Sequence, residues 1–125
     1  MSKYFIDTQF IEGIHKPLFG KPYYFIDLVS IGIVCQDGRE YYAVSNEYKY
    51  DDADIWVKEN VIKKIYTSVV HGDRRNYDSA KTFHKWYGKS NKQIAEEVLK
   101  FFGCWRDQLF YRAPDGIQVY GYYAD

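Results

Sequence analysis

Two cysteines, three prolines and one methionine are all that the 125 residues hold of these types. Cys35 and Cys104 stand far apart, with no CxxC and no Cys/His spacing. That excludes a zinc finger and a disulfide scaffold, and both thiols read as buried and reduced. No apolar run reaches the ~20 residues of a membrane span, and the N-terminus has no signal-peptide pattern. No membrane association and a cytoplasmic location are the expectation. Charge of one sign is also missing: 17 basic and 17 acidic residues cancel. A histone-like or architectural binder needs a global basic field, so that class is excluded. G-x-S-x-G, Walker and G-x-G-x-x-G loops are absent.

Aromatics are abundant instead, at 20%, with 14 tyrosines. Tyrosine can pack its ring in a core or interface and keep its hydroxyl wet, or it can stack on a base. With 46% hydrophobic residues, the length suits one domain with one core. Residues 3–7 read as a strand, followed by a loop broken by Gly13, Pro17, Gly20 and Pro22. Residues 24–35 read as a long buried strand, Asp37-Gly38 as a hairpin turn, and 39–45 as the return strand. A helix is expected from Asp51 to Ile65, with Ile55, Val61, Ile62 and Ile65 on one face and Trp56 at its edge. Residues 66–89 read as irregular, either a mobile loop or a short helical excursion around Ser79–Tyr87. Ser90-x-x-Gln93 has the form of a capping box for a helix that runs to Phe102. Residues 117–124 form a final strand that can pair beside the first. The fold class is therefore α/β with a mixed sheet in β-β-β-α-α-β order.

Asp7 and Gln9 are the residues with most chemical content. Alternate side chains of a strand share a face, so positions 7 and 9 point the same way. Two carboxylates there could hold divalent cations, the arrangement that activates water and stabilises a phosphate in two-metal hydrolysis. Gln offers one neutral acceptor oxygen and an NH2 group that repels a cation, so Gln9 weakens such a site. The spacing alone fits equally an Asp7 that caps a turn. His15, His71 and His84 are candidate bases without a partner at a telling spacing, and they read as solvated. Lys63, Lys64, Arg74 and Arg75, like Lys81, Lys85 and Lys89, read as a solvated face or a local basic patch.

The run Tyr4-Phe5-Ile6-Asp7-Thr8-Gln9-Phe10-Ile11-Glu12 resembles the first motif, D-T-E-F, of the DnaQ-like, DEDDh-type 3′→5′ exonucleases. Residues Asp27–Val34 and Asp37–Ser45 resemble the second and third strands of the ribonuclease AS-like subgroup. Trp56-Val57-x-x-Asn60-Val61-Ile62 resembles its next helix, and Tyr120–Asp125 the strand that leads to its second motif. The resemblance implies a ribonuclease H-like fold, two Mg2+ or Mn2+ ions, and hydrolytic removal of nucleotides from RNA 3′ ends. Relatives of this kind are often homodimers. Asp7 then matches the first metal-binding aspartate, and Gln9 replaces the bridging glutamate. Phe10 and Ile11 border the terminal nucleotide. Asp125 becomes a metal ligand only with a small register shift. The third motif is missing, so residues 1–125 read as a single partial domain, truncated before its C-terminal half.

Three functions stay open at this stage. The chain is a 3′→5′ exoribonuclease domain with weak or no activity, a non-catalytic single-stranded RNA-binding module, or a protein-interaction and oligomerisation domain. For the second, Tyr23, Tyr24, Phe10, Arg74 and Arg75 are expected to build an aromatic and basic surface near Asp7.

Overall fold

A computed structural model describes residues 2–69, 77–106 and 110–122. Its centre is the antiparallel pair β1 (Ser2–His15) and β2 (Tyr23–Cys35). β3 (Glu40–Val44) pairs antiparallel with β2, and β6 (Ile117–Tyr122) pairs parallel with β1. The result is a mixed four-stranded sheet in the order β3-β2-β1-β6 within an α/β chain. The final strand beside the first, expected from the sequence, is present.

β1 does not stop at residue 7. It continues to His15, paired as far as His15↔Tyr23. Gly13 does not break it, because the Phe25 ring of β2 lies over the glycine, 2.9 Å from where a Cβ would stand. The ring covers backbone that the glycine leaves bare. The ladder slips once: Gln9 pairs with Ser30, but Phe10 pairs with Leu28. Val29 is the extra residue of this β-bulge, and it is fully buried.

After β3, a 3-10 turn (Tyr50–Asp52) leads into a helical run of three parts: α1 (Ile55–Val57), a π-helical stretch (Lys58–Ile62) and α2 (Lys63–Val69). Asp54 caps it, its Oδ1 accepting from the Val57 N–H at 2.8 Å. Ile62 and Tyr66 are buried and Val61 and Ile65 partly so. Ile55, expected on the apolar face, is 73% exposed. α3 (Tyr77–Tyr87) is a full helix where the sequence suggested a short excursion. His84 on it is not solvated: it is buried, and its ring stacks on Tyr48 at 4.1 Å. Burial, then the charge of Lys85, pushes its pKa below the usual imidazole value.

α4 (Asn91–Phe101) starts at Ser90, whose Oγ accepts from the Gln93 N–H at 3.1 Å. Half of the expected capping box is thus formed. The Gln93 side chain turns instead to Glu97, donating from Nε2 at 3.0 Å. A two-stranded ribbon that the sequence did not announce follows, β4 (Trp105–Arg106) with β5 (Tyr111–Arg112). Cys35 is buried as expected, but Cys104 is only partly covered. His71, Arg74, Arg75 and Asp125 lie outside the described residues.

The two faces of the sheet are covered differently. Ile11, Val29 and Val44 pack with Ile62, Tyr66, Ala80 and Phe83 of the helices on one face. Tyr4, Ile33 and Cys35 pack with Val98, Phe101 and Phe102 of α4 on the other. A polar clamp fastens α4: Glu97 accepts from Tyr41 Oη at 2.9 Å and from Lys89 Nζ at 2.6 Å. Gly88 lets the chain leaving α3 run against β3, where Lys89 N–H donates to the Val44 carbonyl at 2.8 Å.

These contacts yield two predictions. Lys89 first, then Gln93 and Tyr41, hold the Glu97 carboxyl down to about 2, from 4.5. A lowered carboxylate stabilises the fold above its unfolded value and loses that contribution as pH falls toward the folded one. Glu97→Gln is therefore expected to flatten the stability profile between about pH 4.5 and 2, read by urea unfolding at stepped pH. Gly88→Ala would bring a Cβ to 2.4 Å from the His84 carbonyl oxygen and 2.8 Å from the Asn46 nitrogen. Both are backbone atoms, so the same measurement is expected to show a loss of about 2 kcal/mol or more.

Candidate nucleic-acid-binding cleft

Strand alternation puts Phe5, Asp7 and Gln9 on one face of β1. The register adds Val34, Gly32 and Ser30 of β2, then Glu40, Tyr42 and Val44 of β3. The bulge at Val29 keeps Ser30 on this face while Val29 itself enters the core. Gly32 lies directly opposite Asp7, and with no side chain it leaves open space beside the carboxylate.

The helical run closes one side of that space. A cleft of about 480 Å³ has a sheet wall of Asp7, Gln9, Ser30, Gly32 and Tyr42. Its helix wall is Trp56, Asn60, Val61, Lys64 and Ile65. Trp56, Asn60 and Lys64 follow at intervals of four, so they share one helix face. Asn60 Nδ2 donates to the Trp56 carbonyl at 3.0 Å, which orients the amide. The Trp56 ring is 64% exposed and free to take a planar ligand. Desolvation first, and the field of Tyr87 second, raise the Tyr42 pKa against a lowering hydrogen bond with Ser30. The Tyr42 hydroxyl is therefore a protonated donor at neutral pH. On the other side of Asp7 a second hollow of about 580 Å³ is lined by Phe5, Val34, Tyr42 and Tyr120. Phe5 and Tyr120 stack there at 5.4 Å.

The structure brings Asp7 and Gln9 together as the spacing implied. Phe10 and Ile11 are different. Phe10 follows Gln9 in a regular strand, so its side chain leaves from the opposite face of the sheet. Ile11 is 1% exposed and belongs to the core. Neither side chain reaches the cleft. Tyr24, paired with Ile14, lies on the same far side as Phe10. His15 sits near the hairpin end against Tyr23 at 5.0 Å, and His84 is in the core. Lys81 is tied to Asp51 at 3.1 Å and Lys89 to Glu97, so these two lysines are not a free basic face. Lys64, Trp56 and Asn60 are the cleft residues that composition and spacing did not single out together. Their period of four was the available signal.

A pair of Mg2+ or Mn2+ ions needs several anionic oxygens, one of them bridging. Asp7 is the one carboxylate in the cleft lining, and Gln9 adds only a neutral oxygen. Lys64 brings a positive charge to the same space. Among the described residues no three His, Cys, Asp or Glu side chains come together. The described donor set does not fit the two ions.

Over 63 residues the chain is 46% identical to a 3′-5′ exoribonuclease of Mycobacterium tuberculosis strain CDC 1551 / Oshkosh. The same identity and length hold for a 3′-5′ exoribonuclease of strain H37Rv. The chain is thus related to 3′-5′ exoribonucleases. The matched stretch is 50% of this chain and spans 32% of each relative. No family model matches the chain. No helix among the described residues is long and apolar enough to cross a membrane.

Gln9→Glu is expected to tighten Mn2+ binding at least about 10-fold, because it adds an anionic ligand beside Asp7. Calorimetric titration of both proteins checks this, and equal affinities would separate Gln9 from any metal site.

Proposed function

We propose that the cleft beside Asp7 receives the 3′ end of a single-stranded RNA. The chain would then be a ribonuclease AS-like domain of the DnaQ-like, DEDDh lineage on a ribonuclease H-like fold. One observation carries this reading. In a chain related to 3′-5′ exoribonucleases, Asp7 opens onto a cleft whose far wall offers an exposed indole and an ammonium group. The sheet order, with a parallel strand beside the first of three antiparallel ones, agrees with that lineage.

The chemistry of the walls fits a nucleotide. A base stacked on Trp56 gains about 1–3 kcal/mol. Lys64 is the point charge for a phosphate. Gln9, Asn60, Ser30 and Tyr42 supply the donors and acceptors that ribose hydroxyls and base edges need. Of the ligands that two divalent ions would need to supply activated water in that lineage, this cleft would offer the Asp7 carboxylate and the neutral oxygen of Gln9. Gln9 in place of the glutamate makes hydrolysis slow or absent in this chain. The donor set therefore favours a second reading beside the first: a module that binds RNA ends and does not cut them.

Labelled oligoadenylate separates the readings. Binding by fluorescence anisotropy is expected to weaken with salt. Trp56→Ala should cost about 10-fold in affinity, within the stacking range. Lys64→Ala should weaken binding and lower the salt slope by about 0.7. Mononucleotide release with Mn2+ would mark an active nuclease, and binding without release the module. No binding at low salt would sink both.

A further inference from the structure

Building on the reading of the cleft as an RNA-end site, we propose that Asp7 is the acceptor for the free 2′,3′-diol of a terminal ribose, and that the cleft holds this end without a divalent cation. Asp7 is the one carboxylate of the cleft lining. It is exposed and has no hydrogen-bond or ion-pair partner among the described residues. The Gln9 amide beside it has none either. A carboxylate accepts hydrogen bonds and does not donate them. An occupant of the cleft therefore has to bring Asp7 either donors or positive charge.

The lining lacks the anionic oxygens that two ions need, and it carries a cation of its own. Lys64 stands across the cleft from Asp7. The two do not pair with each other, and Lys64 has no ion-pair partner among the described residues. The space between them is thus open to a ligand. Gly32 forms its floor beside the carboxylate. A Cβ there would meet only Tyr42 Cδ2 at 3.7 Å and the Asp7 carbonyl oxygen at 4.0 Å. The cleft volume of about 480 Å³ lies within the roughly 300–1,000 Å³ usual for small-ligand pockets.

The walls fix how a nucleotide lies between them. The Trp56 indole takes the base, and the Lys64 ammonium takes the phosphodiester on the 5′ side. That leaves the ribose for Asp7. Its two adjacent hydroxyls donate to the two carboxylate oxygens, the pairing by which an acidic side chain takes a ribose in dinucleotide-binding folds. An internal nucleotide has no such diol, because its 3′ oxygen carries the next phosphate. That phosphate would be pressed against Asp7, and like charge rejects it. A glutamate at position 9 would reverse this logic. Two carboxylates side by side repel an RNA end until a cation is bound between them. Gln9 is the residue that frees the cleft from that requirement.

Anisotropy titration of labelled oligoadenylates, in EDTA and in Mn2+, tests this. The ends compared are a free diol, a terminal 2′-deoxyribose and a 3′-phosphate. The wild type is expected to bind the diol end equally well in EDTA and in Mn2+. In EDTA the deoxy end should bind about 10-fold more weakly, and the 3′-phosphate end at least about 10-fold more weakly. Asp7→Asn should erase the preference for the diol over the 3′-phosphate with an unchanged circular dichroism spectrum. Gln9→Glu should weaken binding in EDTA at least about 10-fold and regain it with Mn2+. Wild-type binding that needs Mn2+ overturns the proposal and leaves the cleft an RNA-end site. So does a preference that survives Asp7→Asn, or a Gln9→Glu protein that binds in EDTA like the wild type. Equal affinity for the three ends, with the loss at Trp56→Ala retained, also overturns it. No binding of any end at low salt overturns the RNA reading of the cleft as well. The comparison of ends and of metal uses the wild type alone, so it stands even if a variant fails to fold.

Discussion

The pairing of β1 with β2 is the constraint on which the rest of the molecule depends. Twelve residue pairs run from Tyr4↔Cys35 to His15↔Tyr23, and a single slip separates Gln9↔Ser30 from Phe10↔Leu28. A strand side chain has two choices of direction, and a slip of one residue exchanges them. The bulge therefore divides the ladder into two zones on β2. In one, Ser30 and Gly32 face the cleft. In the other, Leu28, Ile26 and Tyr24 face away from it, and Val29 between them is taken into the core. Without the extra residue at Val29, either the cleft would lose Ser30 or the ribbon would turn its apolar side inward.

Much of this was legible in the chain. Asp37-Gly38 forms the turn it announced, with Gly38 at a φ of 95°. Ser90 caps α4, and Asp7 shares a face with Gln9. The misses have physical causes. β1 appeared to end at residue 7 because Gly13 looks like a breaker, and only the partner strand supplies the Phe25 ring that covers it. The bulge is silent because residues 24–35 are apolar on nearly every position, so no alternation marks a skipped residue. His84 sits among Lys81, Lys85 and Trp86, which hid a helix face carrying Ala80 and Phe83 to the core. Phe10 was assigned to the cleft by its place in a motif, although alternation from Gln9 already turned it away.

The helical run adds the second wall by a local irregularity. Its middle, Lys58–Ile62, is wound as a π-helix, with the Lys63 N–H reaching the Lys58 carbonyl. A wider turn changes which residues share a face. Ile62 and Tyr66 still reach the core, while Trp56, Asn60 and Lys64 line the cleft. The same segment thus stabilises the sheet with one face and lines the cleft with the other. Ile55, at the start of the run, serves neither purpose and stays exposed.

Charge then decides what such a cleft can accept. Two carboxylates side by side repel a phosphate, and only cations bound between them reverse the sign. With Gln at position 9, the acidic wall is reduced to Asp7, and Lys64 stands on the opposite wall. The formal charges of these two cancel, so a phosphodiester can approach Lys64 without prior binding of metal. What a second carboxylate would contribute to cleavage, the amide contributes to admission: it removes repulsion and adds one donor and one acceptor. Gln9 thus leaves the cleft with one anionic side chain facing one cationic one, where a second carboxylate would have made it acidic.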